Sequence, residues 1–321
     1  MRNFKTKKII IDNAQSNNRL DQALSNLIEE CSRSQIKILL QNNNVKKSNQ
    51  IITNATYKVK KDEIFVVRIP IIAESYLEPQ NIPLNIIYED KDLLVINKSA
   101  GIVTHPAPGN QNYTLVNALI YHRKNNLSSI NINNRPGIIH RLDKDTSGII
   151  IVAKNNLSHL DLANQIKKRS IKRKYYAIVW GVPQNQIVKG YIQRHKKNRK
   201  KMALNKTNIG KYSETLIKLK KSFGICSLIE CTLKTGRTHQ IRVHMNYINF
   251  PLVGDKIYGK NKIKTHSKDK KNFNKLLFLK NFHRHALHAY SISFTHPTSK
   301  KILEFKSKLP EDMLKLLEFI S

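Results

Sequence analysis

Apolar residues recur at helical spacing near the start of the chain and at strand spacing later. Leu20, Leu24, Leu27 and Ile28 share one face, which predicts a helix entered through Arg19-Leu-Asp21. Ile36, Leu39 and Leu40 predict a second helix, with Ser32 or Ser34 as its cap, and Asn42-Asn-Asn44 follows as a turn. Short strands are expected around Val45, over 57–59 and over 64–69. Two prolines in Tyr76-Leu-Glu-Pro-Gln-Asn-Ile-Pro83 then interrupt regular structure. This divides the chain into a small unit (1–76), a linker (77–84) and a large unit (85–321). In the large unit, Ile86-Ile-Tyr88 and Leu93–Ile96 predict a hairpin about the turn at 89–92. Residues 148–153, 174–180 and 226–233 read as buried strands, and 286–294 with 302–305 as a late hairpin. Thr238 is expected to cap a helix with apolar residues at 241, 245 and 248. The Lys/Asn-rich stretch 260–282 reads as a loop with a short helix at 273–279. Short connections and the absence of βαβ periodicity imply a mostly antiparallel sheet and an α+β fold.

Composition changes the picture through charge. The chain has 321 residues, 57 Lys+Arg against 22 Asp+Glu, and a formal net charge of +35. Such a balance points to a polyanionic partner, nucleic acid before an anionic membrane. Three cysteines, Cys31, Cys226 and Cys231, give no disulfide framework, and no apolar run approaches membrane-spanning length. A soluble, cytoplasmic protein is expected.

Candidate chemistry lies in three segments. Ile138-Ile-His-Arg-Leu-Asp-Lys-Asp-Thr-Ser-Gly148 puts Arg141, Asp143 and Asp145 in a loop feeding a strand. The plainer reading is a turn held by Asp and Ser side chains. Leu233-Lys-Thr-Gly-Arg-Thr-His-Gln-Ile-Arg-Val-His-Met245 clusters Arg237, His239, Arg242 and His244 at a helix start. They either touch phosphate or supply an arginine that keeps the carboxylate ionised. In Lys172-Arg-Lys-Tyr175 a basic run meets an aromatic strand, where one tyrosine packs and another can stack on a base. In the small unit, Arg33, Lys37, Lys46 and Lys47 near the turn suggest RNA contacts, or simply a solvated basic face. Cys226, Cys231, His239 and His244 fall short of zinc-finger spacing, so no metal site is read from them.

Together these segments resemble the RluA/RluD family of ribosomal RNA pseudouridine synthases. His140 to Gly148 looks like the family's active-site motif, and Leu233 to Met245 with Pro251-Leu-Val-Gly-Asp255 like its second signature. Asn97-Lys98, Ala100-Gly101 and His105-Pro106 look like its opening motif. Arg284-His-Ala-Leu-His-Ala289 and Phe294-Thr-His-Pro297 look like its C-terminal hairpin. The small unit is similar to an S4 RNA-binding domain through Arg19-Leu-Asp21, Ser32-Arg33 and Val45. His105-Pro-Ala-Pro-Gly109 and Gln193-Arg-His195 point to the RluD type. Ser99 stands where the family usually has proline, and Asn43 and Lys61 where it usually has glycine.

The resemblance implies a pseudouridine synthase catalytic domain that isomerises uridines of large-subunit rRNA, in the stem-loop called helix 69, without a cofactor. By position, the catalytic Asp falls on Asp143, the base-stacking Tyr on Tyr175 and the Asp-pairing Arg on Arg242. His140, Arg141, Arg237 and His239 join the four small-unit residues as expected RNA contacts. The implied partner is rRNA or its assembly intermediate, bound by a monomer with no membrane. The reaction breaks N1–C1′, rotates the base and rejoins it through C5. An ionised carboxylate attacks C1′ or stabilises positive charge there. Two rival classes are a non-catalytic RNA-binding ribosome assembly factor and a glycosidase using Asp143 with Asp145. A pure binder gains nothing from a carboxylate that repels RNA, and the charge suits RNA better than neutral sugar.

Overall fold

Alternation of Lys with Ile and Phe at the start of the chain builds an edge strand rather than a tail: β1 (Phe4–Ile10) pairs antiparallel with a later strand. The computed structural model describes residues 4–28, 31, 33–70, 77–107, 109–123, 127–128, 135–195, 197–259 and 270–321. Ser32, Tyr76, Pro108 and the 260–269 part of the expected loop lie outside them. The chain divides into two compact units, Met1–Tyr76 and Leu77–Ser321.

In the first unit, α1 (Leu20–Leu27) and α2 (Arg33–Gln41) precede β2 (Val45–Lys47), β3 (Gln50–Ile51) and β4 (Ile64–Pro70). The sheet order is β1-β4-β2-β3. Leu20, Leu24, Ile28, Ile36, Leu39 and Leu40 are all buried, together with Val45, Phe65 and Val67. Asn43 takes the left-handed conformation (φ 60°), which Asn tolerates and the turn needs. The strand expected over 57–59 is reduced to one bridge, Lys58 to Arg19.

The second unit carries β5 (Ile86–Glu89), β6 (Leu93–Lys98), α3 (Leu115–Arg123), β7 (Ser147–Ala153), α4 (Asn156–Lys167) and β8 (Lys172–Trp180). A basic ribbon follows, β9 (Gln186–Arg194), β10 (Met202–Asn205) and β11 (Lys211–Ser222), then β12 (Cys226–Leu233) and α5 (Gln240–Tyr247). It closes with α6 (Lys270–Lys280), β13 (Leu287–Thr295), β14 (Ile302–Lys306) and α7 (Glu311–Ile320). One sheet runs β10-β9-β11-β12-β8-β13-β7-β6-β5, with β14 on β13. Among the described residues, all its strand pairings are antiparallel except β13 with β7. That exception needs Gly148 (φ 115°), because a Cβ there would sit 2.3 Å from the Ala289 carbonyl oxygen. No helix among the described residues is long and apolar enough to cross a membrane.

Both faces of the sheet are covered. Tyr175, Ala177 and Val179 pack in one cluster, Ile178 and Trp180 in another. Cys231 and Cys226 fall in these two opposite clusters, which keeps them apart. The expected linker is corrected. Leu77 and Leu84 pack against the β6–β7–α3 cluster, and the Asn117 side chain donates to the Glu78 carbonyl. These residues belong to the large unit because their apolar side chains have a surface to bury against. The short helix expected at 273–279 is present and longer, as α6 (Lys270–Lys280).

Candidate active site

Asp143 sits on the loop before β7, and its backbone is tied at four successive carbonyls. The Thr104 hydroxyl donates to Leu142 at 3.0 Å, and the Thr146 N–H donates to Asp143 at 3.1 Å. Lys98 Nζ (3.1 Å) and the Gly101 N–H (2.9 Å) donate to Lys144, and Arg284 Nη1 donates to Asp145 at 3.0 Å. Thr146 Oγ1 lies 2.7 Å from His285 Nε2, and burial keeps His285 neutral with a pKa of about 4. The loop is thus over-determined, which fixes the carboxylate before any ligand arrives.

Arg242, on α5 and only 4% exposed, holds the side chain. Its Nη1 donates to Asp143 Oδ2 at 2.9 Å, while Nε and Nη2 grip Asp255 at 2.7 and 3.0 Å. Asp255 Oδ1 also accepts the N–H groups of Ile257 and Tyr258. Gly254 (φ 72°) makes this possible, since a Cβ there would collide with the Arg284 carbonyl. Burial by itself raises the Asp143 pKa, but the facing His239, Arg242 and His285 outweigh it and hold the group below the usual carboxylate range. Near neutral pH Arg242 is the cation in this set, because burial lowers the pKa of both histidines, which add charge only as the pH falls toward the carboxylate range.

The carboxylate opens into a cleft of about 560 Å³, a size suited to one small ligand. Eight Lys and Arg residues line it (Arg135, Arg141, Lys167, Arg169, Arg173, Lys234, Arg237 and Arg242), and Asp143 is its one acidic residue among the described residues. Tyr175 lines its floor, buried among Leu142, Ile229 and Leu233. Tyr176, on the other face of β8, is stacked on Tyr290 at 3.9 Å. The tyrosine that faces the cleft is therefore also a packing residue, so the two roles do not separate by face.

Several expected contacts find other partners. His140 Nε2 accepts the Ile151 N–H at 3.0 Å, and burial lowers its pKa to about 3. It lines the cleft, but this nitrogen is committed to the backbone. Arg237 Nε donates to the Tyr212 carbonyl while its side chain lines the cleft. Arg141 is exposed and borders the carboxylate, 3.3 Å from His105 Nε2. Thr238 does not cap α5. His239 occupies the N-cap position in the left-handed conformation, and the Gln240 side chain accepts from the Arg237 N–H and the Thr235 hydroxyl instead. His244 turns away to Ser213. In the first unit, Arg33 and Lys37 pair with buried Asp21, and Lys47 pairs with Glu63. Lys46 is half-buried on β2. Three of the four expected phosphate contacts thus also brace the fold.

Lys98, Asp255, Tyr258 and Arg284 carry structural weight that sequence reasoning did not assign. Asp255 had a visible signal, a Gly-Asp pair closely following the arginine helix. Lys98 is 2% exposed and donates to the carbonyls of Ser99, Ile102 and Lys144. Burial pushes its pKa down to about 7, against the pull of Asp143 and Asp145. Lys98→Met keeps the stem but strands the Ser99 and Ile102 carbonyls and leaves Lys144 with the Gly101 N–H alone, so urea unfolding is expected to show a loss of about 2–3 kcal/mol. Turnover falls with it, because the loop carrying Asp143 loses an anchor.

A family profile described as RNA pseudouridylate synthase matches residues 92–247. The chain is 44% identical over 304 residues to "Ribosomal large subunit pseudouridine synthase D" of Zymomonas mobilis, covering 94% of this chain and 93% of the relative. It is 42% identical over 308 residues to the protein of the same name from Buchnera aphidicola subsp. Baizongia pistaciae, covering 95% and 93%. The solved structure "Human RNA Pseudouridylate Synthase Domain Containing 4" shares the fold, with a TM-score of 0.55 and 24% identity over 74% of this chain and 92% of that one.

Proposed function

The chain belongs to the RluA/RluD family of RNA pseudouridine synthases, and from that premise we propose that it isomerises uridines in helix 69 of large-subunit ribosomal RNA, with Asp143 as the catalytic carboxylate. The observation that carries this reading is one ionised carboxylate in a cleft whose other charged side chains are eight Lys and Arg residues. Phosphates are drawn to the rim, while one anionic oxygen is kept where a sugar carbon can meet it. The target uridine leaves its stack and enters the cleft, with Tyr175 against the base. Asp143 then attacks C1′ or stabilises positive charge there as N1–C1′ breaks. The base turns, C5 bonds to C1′, and the C5 proton is lost. Arg242 keeps Asp143 ionised and aimed throughout. Mapping pseudouridine in rRNA from cells with and without this gene tests the reading. Disappearance of helix 69 modifications supports it, and an unchanged map overturns it.

The first unit serves affinity in this reading, as an S4 RNA-binding domain whose basic residues lie outside the catalytic motifs. Deleting residues 1–76 is expected to weaken RNA binding and flatten its salt dependence by about 0.7 to 0.9 in log–log slope for each phosphate no longer neutralised. The remaining unit keeps its own hydrophobic clusters, and turnover persists at high enzyme concentration. A filter-binding salt titration of both forms checks this, and an unchanged slope removes the assignment.

A further inference from the structure

His239 stands at the carboxylate without a role that its surroundings explain as phosphate binding. It borders both the main cleft and a smaller one beside it. Its Nε2 is 3.8 Å from Asp143 Oδ2, and its side chain is 19% exposed. A φ of 57° holds it there, a conformation that most residues avoid. The other ring nitrogen, Nδ1, lies 2.9 Å from the Tyr258 hydroxyl.

The facing carboxylate decides which nitrogen carries the proton: a bare lone pair on Nε2 would point at the Asp143 anion 3.8 Å away, so the proton of a neutral imidazole is placed on Nε2. Nδ1 is then the acceptor for the Tyr258 hydroxyl, whose oxygen accepts the Met202 N–H at 2.8 Å. The Tyr258 ring lies 5.1 Å from the Arg242 guanidinium, so one residue steadies both neighbours of Asp143. Burial lowers the His239 pKa and so keeps the ring neutral.

Breaking N1–C1′ leaves the bonding electron pair on the base, shared among N1, O2 and O4. Asp143 stabilises the sugar side of that event and cannot stabilise the base side. Arg242 is engaged through Nε, Nη1 and Nη2 by Asp255 and Asp143. We propose that His239, its proton on Nε2 and its Nδ1 held by Tyr258, donates a hydrogen bond to the uracil as it leaves C1′. No proton is transferred, and the negative charge on the detached base is held until C5 meets C1′. His239 is then a catalytic residue and Tyr258 a positioning residue. The inference rests on the isomerase reading given above.

The test uses substrate RNA carrying uridine or 5-fluorouridine at the target position, with N1–C1′ cleavage followed in single turnovers. Fluorine stabilises the departing anion, so a donor matters less. His239→Leu is expected to slow the uridine substrate about 100-fold, the cost of one oxyanion-type donor, and the fluorinated one about 10-fold or less. His239→Gln, whose amide nitrogen can replace Nε2, recovers about tenfold of the uridine rate. Tyr258→Phe keeps the ring over Arg242 and loses the hydroxyl that faces His239 Nδ1, together with the acceptor for the Met202 N–H. It is expected to show the same bias toward the fluorinated substrate at about a tenfold smaller loss. Should the leucine variant not fold, Tyr258→Phe carries the test alone. Equal slowing on both substrates overturns the proposal. A wild-type enzyme that converts neither RNA overturns the isomerase reading instead.

Discussion

Asp143→Asn is expected to leave a folded, RNA-binding protein with turnover reduced by about 1,000-fold or more, the scale of losing a nucleophile or its charge. The substitution is nearly isosteric. The new amide would keep an oxygen for Arg242 Nη1, now 2.9 Å from Oδ2 of Asp143, and the loop carbonyls would keep their donors. RNA affinity holds or tightens slightly, because a negative charge leaves a cleft that faces phosphate. Asp145→Asn is the control. Asp145 is held through its backbone carbonyl by Arg284, which the amide preserves, so activity should stay within about threefold of wild type. Tritium release from C5-labelled uridine RNA, with RNA binding measured on the same samples, reads both variants. Retained turnover in Asp143→Asn would falsify the assignment, and equal loss in both would give Asp145 a share in the chemistry.

The second large effect belongs to Arg242→Lys. Arg242 uses three nitrogens in one plane, two on Asp255 and one on Asp143. A single ammonium cannot occupy those positions together. The charge survives and the geometry does not, so kcat is expected to fall about 100-fold or more, with RNA affinity changed by less than about threefold. The small effect on affinity follows from burial, since the guanidinium is out of reach of the RNA backbone. Arg242→Ala goes further and leaves buried Asp255 without its cation, at about 3–5 kcal/mol in urea unfolding. A loss confined to RNA binding would make Arg242 a phosphate contact and end the pairing idea.

The parts legible in the sequence were those whose chemistry is local. His140 to Gly148 and Leu233 to Met245 announced themselves because charged residues crowd beside strand and helix boundaries. The strands 148–153 and 174–180 were read from nearly continuous apolar runs, and 226–233 from apolar residues with Ser227, Glu230 and Thr232 among them. Other elements gave no such signal. The face-to-face burial of α3, with Leu115 to Ile120 all inside, leaves no amphipathic period to detect. β1 and β11 carry lysines on their open faces, which mutes the strand signal in so basic a chain. Asp255 and Lys98 could not be assigned because their partners depend on how distant loops meet. A lysine at 2% exposure runs against every burial expectation until its three carbonyls are seen. The resemblance supplied Asp143 and Arg242 by position, and the geometry adds the support around them.

The tethering of the Asp143 loop has a consequence for the order in which the protein is made. The first unit, Met1–Tyr76, is made before the catalytic unit and can fold ahead of it, since domains form as units from the N-terminus. The carboxylate at position 143 emerges next, but Arg242, Asp255 and Arg284 follow only 99, 112 and 141 residues later. Arg284 is itself gripped by Asp312 on the last helix. On the roles proposed above, a nascent chain holds RNA before it can modify it. Catalysis then waits for α7, and a translation product stalled before that helix is expected to compete for RNA rather than to act as an enzyme.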